Sequence, residues 1–432
     1  MRSRIRSLAV AYSVVLVAAN IYLYNYAAFF AIFHPTSTIR FNLYGDPQIE
    51  GDAKLSREPA TGKYDLLVND YYQHHVYKAT IAAFCPHYVV TMGDIFSSQW
   101  VSKDEYNRRL QRFRWISHQI DSSNRPTRSN HIYYYMAGNH DIGYGEETEA
   151  YHINRFASNF GPLNTEWLTR VDGKLHRFAI LNAMNLDKTR HAEYRAQAWS
   201  FVKHLAAERQ QNPEIPLILF SHIPLHKQAD ACTAAAGTRY LDGFVEYQDY
   251  LSPTTSAYLL HCLAPVFVLS GHDHDGCRAA HTVKADAGYG IALGNSGKLL
   301  RLSKDLCGMS PEDLDNYQAS IEAFAHQTVA PATGFNGTAG TSTWDTLEVT
   351  VRSVMGAYGG AAGVFDIEKS RRGLSPPGRH ARAQGTAVTA TAGGYEYRYR
   401  EIQLGNHLVV RVLLVADAVG LLVVPALLLL LS

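Results

Sequence analysis

Cysteine is scarce in this sequence. Cys85, Cys232, Cys262, Cys277 and Cys307 are scattered over 432 positions with no Cys-x-x-Cys pair. That spacing excludes a zinc ribbon and a thioredoxin-type dithiol, and the odd count leaves at least one thiol unpaired. A dominant charge is missing as well. Forty Lys and Arg oppose 39 Asp and Glu, a formal net charge of +1, so no basic field draws a polyanion and nucleic acid is not an expected partner. No internal repeat is present, which argues against a solenoid or a propeller. The length suits one large domain or two small ones, with ample material for a core.

Long apolar runs are confined to the two chain ends. MRSRIR leads into an apolar run from Leu8 to Phe33, long enough at about 1.5 Å per residue for a ~30 Å hydrocarbon core. Val17-Ala18-Ala19 looks like a signal-peptide cleavage site, but the apolar run continues well beyond it, which favours an uncleaved anchor. Arg2, Arg4 and Arg6 then place the start in the cytosol. Val412 to Leu431 is a second candidate span with Asp417 inside it. A carboxylate there needs a partner, and Arg411, Asn20 and Asn25 are the candidates. A removable lipid-anchor signal fits the same tail poorly because of Asp417 and Arg411. With two spans, the intervening chain lies across the membrane, where the sequon Asn336-Gly337-Thr338 is open to glycosylation and the compartment is oxidising.

Between the ends, apolar runs rich in β-branched and aromatic residues stop at polar or glycine clusters. They are TIRFNLY before Gly45, HYVVTM before Gly93, HIYYYMA before Gly138, IPLILF before Ser221 and APVFVLS before Gly271. Helix-like stretches at Tyr71 to Phe84, Lys103 to Ile120 and His191 to Arg209 lie between them, so the expected fold class is α/β. Strands at Asp345 to Arg352 and Ala361 to Asp366 flank SVMGAYGG, which reads as a hairpin turn. Ser370 to Gly394 turns to Arg, Pro, Gly, Ala and Thr without periodicity and reads as a flexible linker. His74 and His75 read as the exposed face of their helix.

Ligands in such sheets gather at the carboxyl ends of the strands. Here those ends read GDPQ (45–48), GDIF (93–96), GNHD (138–141), SHIP (221–224) and GHDH (271–274). His272 and His274, two apart on extended chain, project to the same side. One such end is commonly a cap or a solvated turn. Five in succession, each with an oxygen or imidazole donor, point to a metal centre.

The motif order resembles the calcineurin-like metallophosphoesterases over Asp46 to His274. The resemblance implies a four-layer αββα sandwich, here with one transmembrane helix at each chain end. GDPQ with glutamine, HIPL followed by Cys232, GHDHDGC with His281 beyond, and MGAYGG are more narrowly similar to membrane-bound enzymes of the endoplasmic reticulum. Those enzymes remodel glycosylphosphatidylinositol (GPI) anchors by removing an ethanolamine phosphate branch from a mannose; the fungal type is the nearest in pattern, and implies the second mannose. Residue by residue, Asp46, Asp94 and His274 would hold one divalent metal, with Gln48 where many relatives have histidine. Asp94 would bridge to a second metal held by Asn139, His222 and His272. Gln48 is a weaker ligand, a residue that orients water, or a hydrogen-bonded loop residue. Carboxylate, amide and imidazole donors suit Mn²⁺, with zinc and iron as alternatives. His140 is the implied proton donor to the leaving sugar oxygen, and Asp141 either orients that imidazole or pins the loop backbone. His226 and His281 are read as structural, and Cys232 and Cys277 as a disulfide tying two ligand loops.

The implied division is a cytosolic start and anchor at 1–34, a lumenal phosphoesterase domain at 35–369, a linker at 370–407 and a second transmembrane helix at 408–432. The implied partners are GPI-anchored proteins, the lipid bilayer and cargo-sorting machinery, at the endoplasmic reticulum membrane. Two rivals stand beside this reading: another lumenal phosphatase or nuclease of the superfamily, and a catalytically inactive receptor for GPI-anchored cargo.

Overall fold

Strands that are apolar on both faces need cover on both sides, and the computed structural model supplies it with two sheets and their flanking helices. It describes residues 2–32, 38–126, 130–227, 232, 237–284, 290–292, 299–301, 305–317, 343–370, 380–384, 387–404, 415–421 and 424–425. The first eight helices are α1 (Arg2–Tyr24), α2 (Tyr26–Ile32), α3 (Asp52–Arg57), α4 (Gly62–Phe84), α5 (Lys103–Ile116), α6 (Asn139–Ile142), α7 (Ala150–Phe160) and α8 (Ala192–Gln211). The strands begin with β1 (Ile39–Tyr44), β2 (Tyr88–Thr91), β3 (Ile132–Tyr135), β4 (Thr165–Val171), β5 (Lys174–Leu181), β6 (Leu217–Ser221), β7 (Thr238–Leu241), β8 (Phe244–Gln248) and β9 (Phe267–Ser270). They continue with β10 (Cys277–Lys284), β11 (Gly290–Ala292), β12 (Leu299–Arg301), β13 (Thr343–Thr350), β14 (Ala361–Lys369), β15 (His380–Gln384), β16 (Ala387–Ala392) and β17 (Tyr395–Gln403).

One sheet runs β15-β16-β17-β14-β1-β2-β3 and the other β12-β11-β10-β13-β9-β6-β5-β4. Alternate side chains of each central strand serve two cores. Phe41, Leu43, Val90, Phe220, Phe267 and Leu269 meet between the sheets, while Tyr44, Val89, Leu219 and Val268 face the helices. This is the αββα sandwich. Because β1, β2 and β3 are parallel, and β5, β6 and β9 likewise, the strand ends that carry the motifs open on one edge of the sandwich.

Helix α5 starts where Ser102 accepts a hydrogen bond from the Glu105 N–H at 3.2 Å, an N-cap. Helix α4 begins nine residues before the expected Tyr71. Its early apolar residues Tyr64, Leu67 and Val68 are exposed, so core-facing periodicity sets in only from Asp70 and Gln73.

Three expectations are corrected. Among the described residues no helix is long and apolar enough to cross a membrane. The run from Leu8 to Phe33 breaks at Asn25, whose side-chain amide donates to the Ile21 carbonyl at 2.8 Å, and α2 turns onto the domain with Ala27 beside Phe84, Val364 and Ile402. In the second candidate span only 415–421 and 424–425 are described; there Asp417 accepts from the Asn20 amide at 3.0 Å, while Arg411 lies outside the described residues. Next, the expected linker at 370–407 supplies β15, β16 and β17 to the first sheet. Finally, SVMGAYGG is not a hairpin. β13 and β14 lie in different sheets, and the segment carries the chain between them through a short 3₁₀ turn at Gly356–Tyr358. The sequon at Asn336 lies outside the described residues.

His176 on β5 is fully buried and its Nε2 lies 3.0 Å from the Tyr397 hydroxyl across the sheets. Burial pushes its imidazole down to about 4 from the ordinary 6.5. The unfolded chain therefore takes up this proton near pH 6.5 and the folded chain only near pH 4, so stability falls as pH is lowered through that window. A melting series from pH 7 to 4 is expected to show the loss, and His176→Gln to reduce it by the His176 share.

Candidate metal centre

Four of the ligand candidates sit where the chain turns sharply out of a strand. Asp46, Gln48, Asp94 and His272 have positive φ, between 41° and 73°, a strained conformation for residues with a Cβ that persists only where surrounding contacts enforce it. The glycines beside them make room. A Cβ on Gly93, itself at φ +99°, would lie 2.2 Å from the His222 Nδ1, and one on Gly138 would lie 2.2 Å from the Asp94 Oδ1.

The six residues expected as metal ligands, together with Gln48, are drawn together around Asp94. Asp46, Asp94 and His274 form one group of donors and Asp94, His222 and His272 another, the donor atoms in each lying within 4.8 Å of one another. Asp94 belongs to both, the place a bridging carboxylate would take. His222 Nε2 lies 3.4 Å from the Asp94 Oδ1 and 3.2 Å from the Asn139 Oδ1, so the amide joins the second group. His222 Nδ1 sits 2.7 Å from the Met92 carbonyl and His272 Nε2 3.0 Å from the Gln248 carbonyl. Each carbonyl fixes one ring nitrogen as the donor and leaves the other free for a cation. Asp46 accepts the His272 N–H on both oxygens at 3.1 Å. The Gln48 amide reaches 3.2 Å from the Asp94 Oδ2 and 3.1 Å from His274 Nε2. Half a turn about its last bond places Oε1 at the same point.

The electrostatics fit a pair of cations. Asp46 and Asp94 are 0% and 1% exposed, and buried carboxylates this close are costly unless a cation compensates them. Burial and then the charge of Asp94 drive the Asp46 carboxyl well above its usual range. Burial opposes ionisation of Asp94 too, but His140, His222 and His272 around it hold its carboxyl below that range. Burial takes the His272 imidazole down to about 3, so it stays neutral, the form a metal needs. The donor set of carboxylates, imidazoles and an amide suits hard to borderline divalent ions.

His140 stands at the rim, its side chain 40% exposed and its Nε2 3.8 Å from the Asp94 Oδ2, while its N–H donates to the Asp94 Oδ1 at 2.8 Å. Asp141 does not orient this imidazole. Its carboxylate accepts from the N–H groups of Gly138 at 2.9 Å, Ile95 at 3.1 Å and Phe96 at 3.3 Å. It therefore pins the GDIF loop to the GNHD loop, the second of the two roles considered for it. Burial and then the Asp94 charge push it up to about 8.

Sequence reasoning missed two supports. The first is Glu348 on β13, fully buried. It accepts from the Leu225 N–H at 2.8 Å and the Ser270 hydroxyl at 3.3 Å, and pairs with Lys227 Nζ and His281 Nε2, each at 2.8 Å. It thus ties the SHIP loop to the strand before GHDH. A lone acid within the apolar alternation of TLEVT was its signal. The second is Tyr358 of MGAYGG, whose ring packs edge-on against His274 at 4.6 Å. Ser353 anchors that segment by donating to the carbonyl of Asp46 at 3.0 Å through its hydroxyl and to that of His274 at 3.1 Å through its N–H. His74 is not simply exposed either: it stacks on Trp115 at 4.2 Å.

Cys232 pairs with Cys277, as expected, and Cys262 with Cys307, which the sequence did not suggest; Cys85 is free. Non-reducing peptide mapping is expected to recover both cross-linked peptides with Cys85 as the alkylated residue. Each bridge spans 45 residues, worth about 4 kcal/mol by loop closure, so reduction is expected to lower the melting temperature sharply.

The model of the family described as calcineurin-like phosphoesterase matches residues 40–276, more than half the chain. An uncharacterised protein of Schizosaccharomyces pombe is 30% identical over 274 residues, 55% of this chain and 62% of its own. Protein TED1 of Saccharomyces cerevisiae is 25% identical, over 56% of this chain and 65% of its own. Metallophosphoesterase 1 of Rattus norvegicus is 28% identical, over 50% and 57%. The chain spans about three fifths of the length of these relatives.

Proposed function

Because this chain belongs to the calcineurin-like phosphoesterase family and is a metal-dependent phosphoester hydrolase, we propose that it acts as a phosphodiesterase on GPI anchors. The bond cleaved joins an ethanolamine phosphate branch to a mannose, the second in the glycan. The observation that carries the chemistry is the sharing of Asp94 by two buried donor groups beneath a half-exposed His140. Two divalent cations bound there, manganese by preference, would generate hydroxide near neutral pH and neutralise the phosphoryl oxygens. Asp46, Asp94 and His274, with Gln48, would hold one, and Asp94, Asn139, His222 and His272 the other. His140 donates its proton to the departing mannose oxygen, with its backbone N–H held by the Asp94 carboxylate.

The substrate reading is supported by the resemblance of GDPQ, HIPL, GHDHDGC and MGAYGG to the GPI-remodelling enzymes, and by the packing of Tyr358 from MGAYGG on His274. An oxidising lumen, that of the endoplasmic reticulum, is supported by the two cystine pairs. Contact with a bilayer is supported by exposed apolar side chains on α1, among them Leu8, Val14, Val15 and Ile21. Mass analysis of GPI glycans from cells with and without the protein tests the reading. Retention of the second-mannose branch in its absence is expected; identical glycans would overturn it.

A further inference from the structure

Helix α4 carries two apolar faces. One is turned to the core through Val76, Tyr77 and Ile81. The other is a stripe of Tyr64, Leu67, Val68 and Tyr71 at i, i+3, i+4 and i+7, with exposures of 69%, 54%, 67% and 60%. A helix apolar on opposite sides has apolar surroundings on both, and a contiguous exposed patch marks an interaction site.

We propose that this stripe of α4 lies on a lipid bilayer and sets the metal centre close above it. The inference rests on the membrane association proposed above. Three observations favour lipid as the occupant. One turn beyond Tyr71, the His75 ring packs on Tyr24 at 4.3 Å, and Tyr24 ends α1, whose own apolar side chains are exposed; the exposed end of α1 thus adjoins the stripe. The stripe is bracketed by exposed Lys63 and Lys78, whose stems reach from a bilayer interface to its headgroups. Its own aromatics are tyrosines, the residues that settle at that depth.

The same helix holds the site. Gln73 Nε2 donates to the Pro47 carbonyl of GDPQ at 2.9 Å, and the Tyr72 hydroxyl donates to the Gly360 carbonyl of MGAYGG at 3.4 Å. The stripe and the ligand loops are therefore separated by about one helix diameter, ~10–12 Å. A phosphate branch on a glycan tethered by lipid would meet the site at that height.

The test uses the full chain with Cys85→Ser, bearing single labels at Val68→Cys, Val15→Cys on α1 and Leu168→Cys on the distant β4. Each carries a nitrobenzoxadiazole fluorophore and is reconstituted in phosphatidylcholine vesicles containing a nitroxide-bearing lipid. Quenching at position 68 comparable with that at 15, and well above that at 168, is expected. Quenching at 15 with position 68 no more quenched than 168 would overturn the stripe as a lipid contact while leaving membrane association intact. No quenching at any position would remove the association itself. A concentration-dependent dimer that shields position 68 without lipid would assign the stripe to a second copy and also overturn the proposal. As a functional arm, Leu67→Asp with Val68→Asp is expected to cut turnover of membrane-held substrate on the order of tenfold. Hydrolysis of soluble bis(4-nitrophenyl) phosphate should be unchanged; an equal loss on both substrates would contradict the proposal.

Discussion

Asp94→Ala is expected to leave no measurable phosphodiesterase activity and to abolish tight divalent-metal binding, whereas His140→Ala is expected to keep the metals and lose turnover by about 10²–10⁴-fold. The contrast follows from the geometry. Asp94 is the donor common to both ligand groups, so its removal empties the centre and leaves Asp46 buried without compensation. His140 touches Asp94 from the rim, through a backbone N–H that alanine retains and an imidazole 3.8 Å away. Only the proton donor is lost in that variant. Activity assays paired with metal analysis of the purified variants check both arms. A metal-free but active Asp94→Ala would refute the assignment, and a fully active His140→Ala would remove His140 from the chemistry. Unaltered GPI glycans in cells carrying only Asp94→Ala would instead favour a receptor that binds cargo without catalysis.

The second large effect concerns Lys227 and Glu348. Both are buried, at 1% and 0% exposure, and their ion pair closes a set of contacts that reaches both ligand loops. Lys227→Met leaves the Glu348 charge with its lysine gone, and a destabilisation of about 3–5 kcal/mol is expected, the usual result of breaking a buried pair from one side. Replacing both, as Lys227→Met with Glu348→Leu, is expected to cost less than the single variant, because no charge is stranded. Denaturant titration of the three proteins decides it. The pH response has a definite sign. Although burial opposes its ionisation, Lys227 and then His281 hold the Glu348 carboxyl down to about 2 from 4.5, so its contribution is complete above pH 4.5 and is lost as pH falls toward 2.

The metal centre was legible because its parts sit at strand ends, where an apolar run stops at a glycine or serine and a donor follows. Five such stops carried the site before any distance was known. Asp141 was not legible in role: the same residue can face a ring or three amides, and only the loop path decides. The first apolar run misled because hydropathy counts residues and not breaks, and one asparagine at 25 divides it. The segment 370–407 misled through its Pro, Gly and Ala content, although YEYRYREI (395–402) alternates as β17 does. MGAYGG looked like a hairpin since its glycines fit one; the partners of the strands on either side, in opposite sheets, are set by contacts remote in sequence. Glu348 was hidden for the same reason, as its four partners come from β9, β10 and the loop after β6.

The central claim is that side chains from five loops enclose a pair of cations shared through Asp94. An anomalous-difference map from crystals grown with Mn²⁺ tests it most directly. The account predicts two peaks about 3.5–4 Å apart, flanking Asp94, one beside Asp46 and His274 and the other beside Asn139, His222 and His272. A map with no peak at Asp94, or with its ions bound elsewhere, would contradict it.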